Sequence, residues 1–281
     1  MPTVRINNAC INYIETGNGD ATVILLHCSA SSSDQWRILS TQLADNFRVL
    51  APDLYGCGGS DDWPGQGPLT LADEAEAATA LMDYCGGPIH LVGHSYGGAV
   101  ALKAALLAPK RFASLTLIEP VAFYLLDYDP ADRVLAAEMR AVADMVKTAV
   151  LCGDYRLGMA GFFDYWNGPG AWAGMREKAR ASLAPRVRKV ALDFWTNGIE
   201  GTPLDAYRAL TQSTLLLSGE KTPAPTRRIA ELLTGAIPGA QRSIIAGAGH
   251  MAPLTHAKQV NALIVEHLRR SMELEMRRIA A

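Results

Sequence analysis

Short apolar runs alternate with helix-like segments through most of this chain, and few folds accommodate that rhythm. "TVILLH" (22–27), "FRVLAPD" (47–53), "PIHLVGH" (88–94), "FASLTLIE" (112–119), "STLLLSG" (213–219) and "AQRSIIAG" (240–247) read as buried strands. Between and after them, residues 32–46, 71–85, 97–109, 226–236 and 256–276 read as helices, the first with Trp36, Leu39 and Leu43 at helical spacing. "VRINNACINYIE" (4–15) precedes this pattern as two short strands around Asn7–Asn8, a hairpin signal. Alternating strands and helices imply a parallel sheet covered on both faces. The expected fold is therefore α/β, a doubly wound and mostly parallel eight-stranded sheet.

The rhythm breaks once. Residues 120–212 are rich in Ala, Arg, Met, Trp and Tyr and read as several helices without strands, "ADRVLAAEMRAVADMVKTAVL" (131–151) being the clearest. The chain is thus expected to be one domain over 1–281, with 120–212 inserted after the sixth strand as a helical cap or lid.

Composition narrows the function. The 281 residues carry 26 Lys and Arg against 28 Asp and Glu, a net charge of −2, with no basic stripe. That argues against nucleic acid or an anionic membrane surface as partner and leaves a small molecule. No apolar run reaches membrane-spanning length, and the amino terminus lacks the pattern of a signal peptide. Five cysteines, an odd number with no Cys-x-x-Cys pair, point to a reducing cytoplasm and away from a disulfide framework or structural zinc. "GCGGS" (56–60) lacks the spacing and setting of a dinucleotide fingerprint, so neither an organic cofactor nor a metal is expected. The chain is expected as a monomer or homodimer.

Gly93-His94-Ser95-Tyr96-Gly97 matches Gly-x-Ser-x-Gly between a strand and a helix that opens with two glycines. A tight strand–turn–helix needs small neighbours there, and it lifts the serine oxygen above the sheet edge. A serine hydroxyl is a weak nucleophile without a base in hydrogen-bond reach. Of six histidines, His250 in the glycine-flanked loop "GAGHM" after the last strand is the best placed. His94 should point back into the structure, His27 should support its own loop, and His90, His256 and His267 suit core or surface roles.

With these motifs the chain resembles the α/β-hydrolase family over nearly its whole length. "LLHCSASSSDQW" looks like that family's His-Gly loop with Cys28 in place of Gly, "DLYGCGGSD" like its Asp-x-x-Gly-x-Gly-x-Ser loop, and "AGAGHMAPLTH" like its catalytic-histidine loop. The resemblance implies Ser95 as nucleophile, His250 as base, and the backbone amides of Ser29 and Tyr96 as oxyanion donors. It also exposes a departure. Where most of the family carries its triad Asp, this chain has Thr222, and a hydroxyl cannot supply the charge that supports an imidazolium. Some relatives place the acid after the sixth strand, where "LIEP" sets Glu119; Glu220, in the commoner loop but shifted, is the alternative.

Phe123 and Tyr124 in "VAFYLLDY", with Phe162, Phe163 and Trp166 in "GMAGFFDYW", are expected to line an apolar acyl pocket. The Arg and Lys residues of "MREKARASLAPRVRKV" are expected on a solvated helix face. The resulting expectation is a serine esterase acting on a hydrophobic or aromatic small molecule through an acyl-enzyme. Thioesters, lactones and C–C bonds β to a carbonyl suit the same machinery. A ligand-binding protein that hydrolyses little, favoured by Thr222, and a cofactor-free perhydrolase are the rivals.

Overall fold

In the computed structural model, which describes residues 1–280, eight strands form one sheet in the order β1-β2-β4-β3-β5-β6-β7-β8. β3 (Ala21–Leu26), β5 (Ile89–His94) and β6 (Ser114–Ile118) are buried at every position, as runs of Val, Ile and Leu covered on both faces must be. They pair in parallel with one another and, outward, with β4 (Phe47–Pro52) and β7 (Ser213–Gly219), and β7 in turn with β8 (Gln241–Ile245). β1 (Thr3–Ile6) and β2 (Ala9–Thr16) form the antiparallel lead-in. Asn7 and Asn8, both at positive φ, supply its two-residue turn.

The period of two along each strand divides the core. Ile24, Leu26, Leu91 and Leu117 face α2 (Leu71–Met82), α3 (Tyr96–Leu107) and α8 (Ala224–Ala236). Val23, Leu25, Val92 and Ile118 face α1 (Arg37–Leu43) and α10 (Ala257–Ala280). Each Leu or Ile so buried contributes on the order of 1.5–3 kcal/mol. α3 is buried on nearly every side, so it is the central helix.

One expected helix is split. Residues 32–46 contain a 3₁₀ turn, Ser33–Trp36, before α1, because the Ser33 amide is held by Asp53 Oδ1 at 2.7 Å. The final helix is preceded by a separate short one, α9 (Ala252–Thr255), which ends at His256.

Between β6 and β7 the described chain contains no strand. It runs through α4 (Arg133–Leu151), α5 (Tyr155–Asn167), α6 (Glu177–Leu183) and α7 (Val187–Gly198) with intervening 3₁₀ turns. α4 buries Ala136, Met139, Val142, Val146 and Ala149, one stripe at helical spacing. The strand order reverses between β3 and β5, so the loops leaving their carboxyl ends diverge and open a crevice.

Candidate active site

That crevice contains Ser95, between the last residue of β5 and the first of α3, at φ 56° and ψ −118°. A non-glycine residue there is strained, and the surroundings hold it. Its amide donates to Ile118 O at 2.9 Å, while its carbonyl accepts from Gly98 and, at 3.3 Å, from Val121. A Cβ on Gly97 would lie 2.4 Å from Leu26 O, and one on Gly93 2.3 Å from Gly97 O. The two flanking glycines of the motif are therefore demanded by close backbone approach.

Three side chains from distant parts of the sequence meet at this turn. Ser95 Oγ lies 2.9 Å from His250 Nε2, and His250 Nδ1 lies 3.1 Å from Glu119 Oε2. With the Nδ1–H tautomer, Ser95 donates to the imidazole and the imidazole donates to the carboxylate. Glu119 is fully buried at the end of β6, at φ 50°, a second non-glycine residue in the left-handed region. Its Oε1 accepts from the Gly219 amide at 2.6 Å, and its Oε2 also accepts from the Thr222 hydroxyl. Thr222 is thus a donor to the carboxylate. Glu220 is turned elsewhere, its Oε2 accepting from the Gly247 amide at 2.8 Å at the surface.

The loop after β3 curls over the serine. Cys28 N donates to Gln35 Oε1 at 3.0 Å, Gln35 Nε2 to His94 Nδ1 at 3.0 Å, and His94 Nε2 to the carbonyl of His250 at 3.0 Å. This relay ties the loop after β3 to the loop of His250. It requires a neutral His94, whose pKa burial pulls down to about 3, with the neighbouring His250 acting in the same direction. His27 is likewise neutral, held near 4 by burial, and accepts from the Leu54 amide through Nε2. Tyr96 is the first residue of α3, where an amide has no carbonyl one turn back, and Ser29 lies beside Ala30, at φ 58°. Burial pushes the Cys28 thiol up to about 12, which leaves it inert beside the hydroxyl.

Two spaces open beside Ser95. The larger, about 240 Å³, is bordered by His250, Trp166, Phe162, Phe163, Met159 and Leu254, with Arg186 at its edge. A chamber of about 20 Å³ is bordered by Tyr96, Val121, Phe123, Phe194, Asn197 and Asp193. Ser29, Ser95, Phe162 and Trp166 border both. Trp166 does more than line a wall, since its ring stacks on His250 with centroids 3.8 Å apart. Tyr124 departs from expectation. It borders neither space; its hydroxyl is buried 2.5 Å from that of Tyr207, because the 3₁₀ turn Phe123–Asp127 sends successive side chains in different directions.

The expected solvated face on 175–190 is also corrected at one position. Lys189 is buried, with Nζ 2.8 Å from Glu74 Oε1, bonded to Asp193 Oδ1 and 4.8 Å from the centre of the Tyr96 ring. Burial raises the pKa of Glu74 and of Asp193, against the opposing pull of Lys189. The sequence carried one hint of this cluster, the i,i+4 spacing of Lys189 and Asp193 on α7. Its third member, Glu74, is contributed by a helix 115 residues away in sequence. Among the described residues no cluster of three or more His, Cys, Asp or Glu could hold a metal ion, and no helix is long and apolar enough to cross a membrane.

Residues 23–263 match the model of the alpha/beta hydrolase family. A dihydrolipoyllysine-residue acetyltransferase component of the acetoin cleaving system, from Cupriavidus necator, is 29% identical over 92% of this chain and 66% of its own length. This chain therefore spans just under two thirds of that relative. A 2-hydroxymuconate semialdehyde hydrolase from Pseudomonas sp. is 26% identical over 83% of this chain and 80% of its own. A thermophilic esterase from Thermogutta terrifontis shares the fold with a TM-score of 0.74, at 24% identity, over 96% of this chain and 99% of its own.

Proposed function

The chain belongs to the alpha/beta hydrolase family, and from that premise we propose that it is a serine hydrolase cleaving a carboxylic ester of a small molecule. The observation that carries this is the unbroken run from Ser95 Oγ through His250 to Glu119, at 2.9 and 3.1 Å. His250 takes the Ser95 proton as Oγ attacks the ester carbon. The Ser29 and Tyr96 amides receive the oxyanion, each such donor being worth about 10²–10³ in rate. His250 then returns the proton to the departing alkoxide, and Glu119 supports the imidazolium between the two transfers. Water, activated by the same imidazole, releases the acid and restores Ser95.

The helical segment 120–212 acts as the cap in this reading, with α5 and α7 walling the crevice. His250 borders the larger cleft and not the small chamber, so the alcohol that it protonates leaves through the cleft. Phe162, Phe163, Met159 and Leu254 suit an apolar or aromatic alcohol. The non-catalytic reading drew its support from Thr222, and it loses that support with Glu119 bonded to His250.

The test is intact mass after treatment with a small fluorophosphonate, on the wild type and Ser95→Ala. One adduct on the wild type, absent from the variant, is expected. A folded wild type that takes no adduct would refute an activated serine.

A further inference from the structure

The small chamber has a chemistry that an apolar acyl pocket would not need. Asp193 borders it and is 4% exposed, with Oδ1 bonded to Lys189. Its Oδ2 is buried and accepts no hydrogen bond among the described residues. The Ser29 hydroxyl is near enough to favour the charged carboxylate but misses hydrogen-bond geometry. A buried carboxylate oxygen without a donor is costly, and such atoms in folded proteins have a reason. Of the other polar side chains bordering the chamber, Asn197 is already committed at both ends, to Val121 O and Phe123 N, and the Tyr96 hydroxyl donates to Glu74.

We propose that Asp193 Oδ2 is a substrate subsite that receives a hydroxyl carried on the acyl part of the ester, so that the enzyme acts on short hydroxyacyl esters. Two steps lead there. Under the serine-hydrolase reading, on which this inference rests, the alcohol leaves through the cleft that His250 borders, so the chamber that His250 does not border takes the acyl part. The chamber, at about 20 Å³, has room for about one water-sized group. Because it borders Ser95 directly, that group hangs on carbon 2 or carbon 3 of the acid.

The donor is a neutral hydroxyl. A substrate carboxylate would meet Glu74 and Asp193, two acids against one lysine. An ammonium would have to give up its hydration and would sit close to Lys189, which already holds the other oxygen of the same carboxylate. A hydroxyl completes the acceptor at little desolvation cost. A site built for such a donor also discriminates strongly against substrates that lack it.

The experiment compares kcat/KM for two matched pairs of ethyl esters: 2-hydroxypropanoate against 2-fluoropropanoate, and 3-hydroxybutanoate against 3-fluorobutanoate. Fluorine approximates the hydroxyl in size and withdraws electrons but donates no hydrogen bond. The wild type should favour the hydroxy ester roughly tenfold or more in at least one pair, the scale of a hydrogen bond to a charged group. Asp193→Ala, which removes the acceptor outright where Asn would set an amide donor against the hydroxyl, should bring that ratio to within about twofold of unity. Equal turnover within both pairs by the wild type would overturn the subsite while leaving the serine hydrolase in place. A ratio that survives in Asp193→Ala would overturn its assignment to Asp193. Asp193→Ala leaves Lys189 paired with Glu74; should it still not fold, the wild-type pairs alone decide. A wild type that takes the fluorophosphonate but turns over none of the four esters would overturn the subsite alone, and one that takes no fluorophosphonate would remove both readings together.

Discussion

At Glu119 and Thr222 one carboxylate oxygen accepts from two partners, the imidazole Nδ1 and a hydroxyl. The carboxylate that meets His250 comes from the end of β6, and the loop after β7 contributes a threonine that donates to it. If Glu119 supplies the charge, Glu119→Gln should lower ester turnover at least about a hundredfold, since a neutral triad amide costs up to about 10⁴. Glu220→Gln should change it less than about threefold, because Glu220 only binds the Gly247 amide at the surface. Steady-state kinetics decides between them, and equal modest losses would refute the role of Glu119. Thr222→Asp, which returns a carboxylate to the β7 loop, should partly rescue Glu119→Gln. In the otherwise unaltered protein the same change sets two carboxylates together and should lower activity.

Among the elements, α5 reaches furthest into the chemistry. Its Trp166, nearly buried, lies flat on His250 and also stacks with Phe123 and meets Phe162 edge-on. The ring keeps water from the imidazole and presents a π face to the imidazolium when it forms. A desolvated cation–π contact is worth about 2 kcal/mol, so Trp166→Leu should reduce kcat roughly ten- to thirtyfold. Rapid-quench or steady-state measurement of kcat apart from KM checks this. A rise in KM with kcat unchanged would reduce Trp166 to a wall. α7 is bound to the body of the protein by Lys189 to Glu74, and by Asn197 to the chain just after β6. These buried anchors hold α7, and with it Asp193, against the sheet.

For the molecule as a whole, four histidines are buried in the neutral form: His27, His90 and His267, held near 4, and His94 near 3, burial being the main cause in each. Their folded pKa values lie below the unfolded value of about 6.5. The unfolded chain therefore binds more protons between about pH 6.5 and 4. The stability these groups contribute is complete above about pH 6.5 and is lost as pH falls through that window, each by up to about 1.4 kcal/mol per pH unit. Glu74 and Asp193, raised by burial, act in the opposite sense but are fewer. The melting temperature should accordingly drop by roughly 10 °C or more from pH 7 to pH 4.5. A melting temperature that is flat over that range, measured by calorimetry in matched ionic strength, would contradict the burial of these groups as neutral bases.

Local pattern sufficed for much of this protein. Buried strands announce themselves as runs of Val, Ile and Leu, and the elbow by glycines that only a close backbone approach requires, so the sheet, Ser95 and the loop of His250 were legible from residues alone. Glu119 was legible only as a candidate, because nothing near it in the chain shows that its carboxylate meets an imidazole 131 residues away. Tyr124 was misjudged for a related reason: aromatic content marks a segment, but the direction each ring takes depends on the turn that carries it. The relay through Gln35 and His94, the stacking of Trp166 on His250 and the Glu74–Lys189–Asp193 cluster lay beyond any local signal. Hydrophobic periodicity is a property of neighbours along the chain, and these contacts join side chains that only the packing of helices against the sheet brings within a few ångströms.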